Sequence, residues 1–263
     1  MRHPSRSPFP RSALRAALLL VAAAAPCGAW SPTTQQAIAL DAARFAPPDL
    51  AGQLARHARE LALGAREPFD DAAPENHVKN EDGSGALDRR LGDEVASAVA
   101  ALREFHPFAE ISRRLGRVSH WIADLNNPLN ASASDPEEGR YFRDYLRYVD
   151  TARPRFAVVL YENSTVVASN ADLAPLTTRA LGRGRQLYSL VGREYRRIGF
   201  ASGLGRFDDR SSAFGVAALG YSHAVSDVAR VFRYVWLAGG GTDPRAVLDR
   251  PRDRLLLLRG GAP

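Results

Sequence analysis

One cysteine, one methionine and one lysine stand among 263 residues. The cysteine, Cys27, falls inside an N-terminal segment patterned like an export signal, so a processed chain would hold none. Disulfides are thereby excluded as a support of the fold, whose stability must come from a core, metals or partners. Lys79 is the single lysine among 35 basic residues, which makes the arginines a trait of composition and not a set of phosphate clamps. No 20–50-residue repeat, P-loop, Gly-x-Ser-x-Gly elbow or paired-cysteine zinc motif is present.

The first 29 residues carry Arg2, Arg6, Arg11 and Arg15, then the apolar run Ala16 to Pro26, then Cys-Gly-Ala before Trp30. That run is too short to span a bilayer, and no later run is long and uncharged enough to do so. Anchoring of Cys27 to lipid is disfavoured by Pro26, which stands where a small residue is expected. Cleavage after Ala29 is the expectation, giving an exported protein, periplasmic or secreted. About 234 residues then remain, enough for one domain with a sizeable core. The formal charge of +6 falls to about +2, because four arginines and no acid leave. Net charge therefore gives no argument for a nucleic-acid or membrane partner.

The rest of the chain reads as a succession of helices. Thr33 to Phe45 stops at Pro47-Pro48, and Leu50 to Gly64 ends at a glycine. Gly64 to Asp88 is polar, with Pro68, Pro74 and an Asp-Gly-Ser-Gly turn, and reads as a long loop of the kind that often carries function. Further helices are predicted over Leu91 to Phe105, Phe108 to Asn126, Asp135 to about Thr151, Asp172 to Ile198 and Ser211 to Leu237. Val158 to Leu160 suits either a short strand or a buried helical turn. An Arg-rich tail, 241–263, reads as peripheral. The fold class is all-α, with a single compact helical domain over 30–240.

The most informative helix is the one after Phe108. Phe108, Ile111, Leu115, Val118, Ile122 and Leu125 recur at three- and four-residue steps and mark one apolar face. His120 and Asp124 lie one turn apart on roughly the opposite face, where an imidazole and a carboxylate can hold one cation together. The same spacing also suits an ordinary solvated polar pair.

The order of these features resembles the zinc-dependent phospholipase C and single-strand nuclease superfamily of exported helical enzymes. The resemblance runs from Trp30 to about Gly240. It rests on Trp30 at the expected cleavage site, His77 in a long polar loop, and His120-x3-Asp124 followed by Asn-x-Pro-Leu. Tyr145 to Asp150 (Tyr-x-x-Tyr-Val-Asp) and the closing helix Ala213 to Trp236 add to it. The resemblance implies a zinc ion on His77, His120 and Asp124, with Asp124 bridging towards a second ion on the Trp30 amine and carbonyl. An α-amine loses its proton more easily than a lysine does, which makes that ligand chemically reasonable.

Several ligands of the family are replaced. Gln35-Gln36 stand where its first helix has a histidine, and an amide is a poor zinc ligand beside an imidazole. Asn130, Phe142 and Leu146 stand at the three ligands of another zinc, so one or two ions are expected and not three. The family's general base, an aspartate before the loop histidine, falls on Glu67, Asp70 or Asp71, which align equally well. His57 and His106 read as surface residues and His223 as a packing residue. His223 with Asp227 forms a reserve metal pair at the same i, i+4 spacing. The sequons at Asn130 and Asn163 receive no function.

The function these features imply is metal-dependent hydrolysis of a phosphate ester, whether phospholipid head group, nucleic acid or smaller ester. The alternative is a catalytically degenerate scaffold that binds a ligand or partner in the old cleft. A third reading, an unrelated exported helical protein, would gain if His77 lay far from His120.

Overall fold

A computed structural model describes residues 30–71, 73–132, 134–161, 167–244 and 257–258. The expected export signal and most of the Arg-rich tail lie outside these residues. The described part is mainly helical. Nine helices appear among the described residues: α1 (Pro32–Ala43), α2 (Pro48–Arg56), α3 (Ala58–Arg66), α4 (Leu87–Arg103), α5 (Phe108–Leu125), the short α6 (Pro128–Ala131), α7 (Glu138–Ala152), α8 (Leu173–Arg197) and α9 (Ser212–Ala238). None is long and apolar enough to cross a membrane.

Local chemistry sets many of the boundaries. Ser31 caps α1, its hydroxyl accepting from the Thr34 N–H, and Pro32 fits the first turn, where its missing N–H has no helical partner. Asn127 caps α6 in the same way through Leu129, directly after α5 stops before Asn127-Pro128. Ser211 caps α9, which gives way at Gly239 and Gly240, the latter at φ 98°.

Helix α5 is the hub, packed against α1, α3, α4, α8 and α9. The core runs through all of them and includes Ile38, Leu61, Leu91, Leu115, Ile122, Tyr145, Val225 and Phe232, each essentially without exposed surface. Each such side chain stabilises the fold by about 1.5–3 kcal/mol relative to exposure.

Two expectations change. The segment read as one helix from Leu50 to Gly64 breaks at His57, and its second half continues through Gly64 to Arg66. Gly64 is not a stop signal: a Cβ there would lie 1.9 Å from the Arg113 carbonyl oxygen, and one on Gly116 would lie 2.2 Å from that of Leu61. The two glycines let α3 and α5 cross with their backbones in contact. The loop after Gly64 also contains 3₁₀ turns at Glu67–Asp70 and Pro74–His77.

Val158–Val159 is a strand, the first of the two alternatives, and it pairs antiparallel with Leu257–Leu258. On α9, the Ser222 and Ser226 hydroxyls accept from the Val159 and Tyr161 backbone N–H groups, satisfying donors that the short pairing leaves over.

Candidate metal centre

His77, His120 and Asp124 come together where the Pro74–His77 turn meets α5. His77 Nδ1 lies 2.7 Å from Asp124 Oδ2, and His120 Nε2 lies 3.3 Å from the same oxygen. The two ring nitrogens are 3.4 Å apart. Exposure is 2% for His77 and nil for the other two. The wide separation of His77 and His120 that would have favoured an unrelated helical protein is not seen.

The outer nitrogen of His120 is already occupied. His120 Nδ1 donates to the Ala65 carbonyl at 2.8 Å, across the α3–α5 crossing, and the Pro68 carbonyl favours a proton on the His77 ring. Neutral imidazoles held in this way turn two nitrogen lone pairs towards the carboxylate, so three acceptor atoms converge on one point. Such convergence needs a cation, either a proton or a metal. A tetrahedral zinc with bonds of about 2.0–2.2 Å sets its ligand atoms roughly 3.3 Å apart, close to two of the three separations. The third is as short as a hydrogen bond. A second set of contacts from ring N–H to backbone carbonyl is the usual support of a metal-bound histidine. The three residues therefore fit a metal ion, and they are the one group with suitable ligands among the described residues.

Without a metal the cation is a proton. Burial pulls the His77 pKa down, but its hydrogen bond to Asp124 and the charges of Asp124 and Asp71 outweigh that and hold it above the ordinary value. Burial likewise raises the Asp124 pKa, and the two histidines outweigh it and hold it below the usual carboxylate range.

The walls are apolar and aromatic. Phe69 meets His120 edge-on at 4.8 Å between ring centres, and Trp121 lies 4.8 Å from His77. Asn130, which stands in place of a family ligand, donates instead to the His77 backbone carbonyl at 3.0 Å and so supports the turn. Phe142 packs against the core.

The face of α5 that carries His120 and Asp124 is internal, so the solvated-pair alternative does not hold. From Val118 to Leu125 every residue of α5 is buried, because α1, α3 and the 3₁₀ turns cover the side opposite the apolar stripe. Sequence reasoning also discounted one residue that the fold brings to the centre. Gln35 of α1, without exposed surface, donates Nε2 to Asp124 Oδ1 at 2.7 Å. Its burial one turn before Ile38 was the available signal.

Trp30 enters through its side chain: the indole is buried and donates to the Ala123 carbonyl at 2.9 Å. Processing ahead of Trp30, on which an amine ligand depends, concerns residues outside those described. Of the three candidate bases, Glu67 is paired with Arg113 and with Arg117 at 2.9 Å, and Asp70 is exposed. Asp71 caps Ala73, accepts from Asn76 at 2.8 Å and Arg90 at 3.1 Å, and acts on His77 through its charge. Burial raises the Asp71 pKa, but these donors outweigh it and keep the group strongly acidic.

The reserve metal pair is taken by other cations. Asp227 is bound by Arg183 at 2.6 Å and Arg230 at 2.5 Å, with Asn126 at 3.1 Å. His223 stacks on Tyr161 with ring centres 4.3 Å apart, a packing role as expected. His57 sits at the α2–α3 break against Phe108, and His106 pairs with Glu104 and Glu110 at the surface. No family model matches this chain, and no curated protein matches it.

Proposed function

We propose that this protein is an exported, zinc-binding member of the phospholipase C-like helical proteins, and that it hydrolyses a phosphate ester. The observation that carries the metal is the convergence of three acceptor atoms, from His77, His120 and Asp124, with the His120 ring tied from behind to the Ala65 carbonyl. A zinc ion there would lower the pKa of a bound water and polarise a phosphoryl oxygen. The chain's own residues hold the ligands in register, exclude bulk water with Phe69 and Trp121, and offer Asp71 as an ionised acid beside His77. The hydrolytic step rests on the motif resemblance.

A second reading is favoured by the near-complete burial of all three ligands: the metal would be structural and the protein a binding scaffold. The two separate on a phosphodiester assay. Zinc-loaded protein that cleaves bis(p-nitrophenyl) phosphate, with activity lost on chelation and in Asp124→Asn, supports the hydrolase. Tightly held zinc with no cleavage of that ester, of phosphatidylcholine or of single-stranded nucleic acid supports the scaffold.

A further inference from the structure

The two oxygens of Asp124 have different neighbours. Oδ2 faces both imidazoles, whereas Oδ1 accepts the Gln35 Nε2–H at 2.7 Å. Gln35 and Asp124 are both without exposed surface, and the remaining amide atom, Gln35 Oε1, is buried with no hydrogen-bond partner. A carboxylate that bridges two cations with one oxygen on each offers a lone pair of both oxygens to metals. In this protein an amide N–H already sits on one of them.

We infer that Gln35 fixes the centre at a single metal ion, its amide N–H holding the place that a second cation on Asp124 would need. This rests on the metal reading above and departs from the bridging role that the resemblance implies for Asp124. The same hydrogen bond makes Gln35 a positioning residue, because it holds the carboxylate with Oδ2 turned to His77 and His120. The reversed amide would set Oε1 against Asp124 Oδ1, two acceptors face to face, and only a cation between them would stabilise that arrangement. The orphaned Oε1 is the cost of the orientation observed, that of a buried acceptor left unpaired. That cost is smaller than the penalty of opposing two buried acceptors with nothing between them.

The test is zinc stoichiometry by calorimetry and elemental analysis, with far-UV circular dichroism to verify folding. Wild-type protein takes up one equivalent. Gln35→Leu, which removes both donor and acceptor, still takes one, about 10–100-fold more weakly, the usual effect of losing a residue that orients a ligand. Gln35→Glu takes two at about pH 8 with zinc in excess, where the metal displaces the proton that two facing carboxylates would otherwise share. Two equivalents in the wild type, falling to one in Gln35→Leu, would make the amide a ligand and overturn the inference while leaving the metal reading intact. One equivalent of equal affinity in all three proteins would overturn it as well. A wild type that binds no zinc overturns the metal reading, and this inference with it.

Discussion

His120 donates Nδ1–H to the Ala65 carbonyl at 2.8 Å across the crossing of α3 and α5. The bond fixes the ring's tautomer and turns Nε2 towards Asp124 and His77. It exists because two glycines, Gly64 beside Ala65 and Gly116 one turn before His120, let the helix backbones touch, so the candidate metal centre depends on the packing of residues that are not themselves ligands.

Gly64→Ala therefore tests that dependence. A methyl group 1.9 Å from the Arg113 carbonyl oxygen cannot be accommodated unless α3 moves off α5. The expected result is destabilisation by about 3 kcal/mol or more, above the usual range for overpacking because the obstacle is backbone. Zinc affinity should fall with it. Gly52→Ala, inside α2 with no atom near the added methyl, should leave zinc affinity unchanged and stabilise the fold by about 0.5–1 kcal/mol, the usual gain on replacing a helical glycine. Chemical denaturation and zinc titration of the two variants provide the comparison.

Trp30 acts as an anchor of the core. Trp30→Ala is expected to cost about 3–5 kcal/mol through the cavity it leaves. Trp30→Phe keeps most of the ring and loses the bond to the Ala123 carbonyl, and should cost less than Trp30→Ala. If Gln35 restricts the centre to one ion, a processed chain extended by one residue ahead of Trp30 binds zinc as tightly as the authentic one. A large loss of zinc affinity on extension would restore the amine as a ligand.

The His77–Asp124 pair predicts a pH dependence that metal removes. His77 has its folded pKa raised above the unfolded value of about 6.5, so its contribution to the metal-free fold is present below that value. The contribution is lost as pH rises through the folded pKa. Metal-free protein should thus melt at a lower temperature at about pH 9 than at about pH 6, by more than His77→Gln does. Zinc binding displaces the same proton, so affinity should climb over that interval and zinc-loaded protein should lack the decline. Thermal unfolding with and without chelator measures both.

His223 works in the opposite direction. Burial, followed by the charge of Arg183, pushes its pKa down to about 4, with Arg230 adding to the effect and Asp227 opposing it. A depressed value means that the native state resists protonation. Stability is lost as pH falls from about 6.5 towards 4, where the unfolded chain takes up a proton that the native one refuses. His223→Phe preserves an aromatic ring against Tyr161 and cannot charge, so its melting temperature should decline less over that range. An NMR titration giving His223 an ordinary pKa would contradict this.

The sequence carries some of this structure openly. The periodicity of α5, the proline and asparagine steps that end it, and the serine cap of α9 are local signals, and these elements form close to where they are read. The His120–Asp124 pair is local as well. His77, 43 residues from His120, is joined to it only by the motif resemblance, since nothing within either segment encodes that contact. Gly64 misled because a glycine that ends a helix and one that lets two helices touch have the same local signature. The buried polar face of α5 was hidden for a related reason: periodicity reveals one apolar stripe, but not whether other elements cover the rest. Substitutions of Asp124 and His120 consequently act on a buried network, and a loss of stability accompanies any loss of metal.

Zinc content is the most direct test of the centre itself. Protein purified without chelator, and a second sample loaded with zinc and dialysed, should each hold about one equivalent by elemental analysis. Asp124→Asn, folded by circular dichroism and treated identically, should retain almost none. No zinc in the wild type, or equal zinc in wild type and Asp124→Asn, would show that His77, His120 and Asp124 form a proton-linked polar cluster and not a metal site.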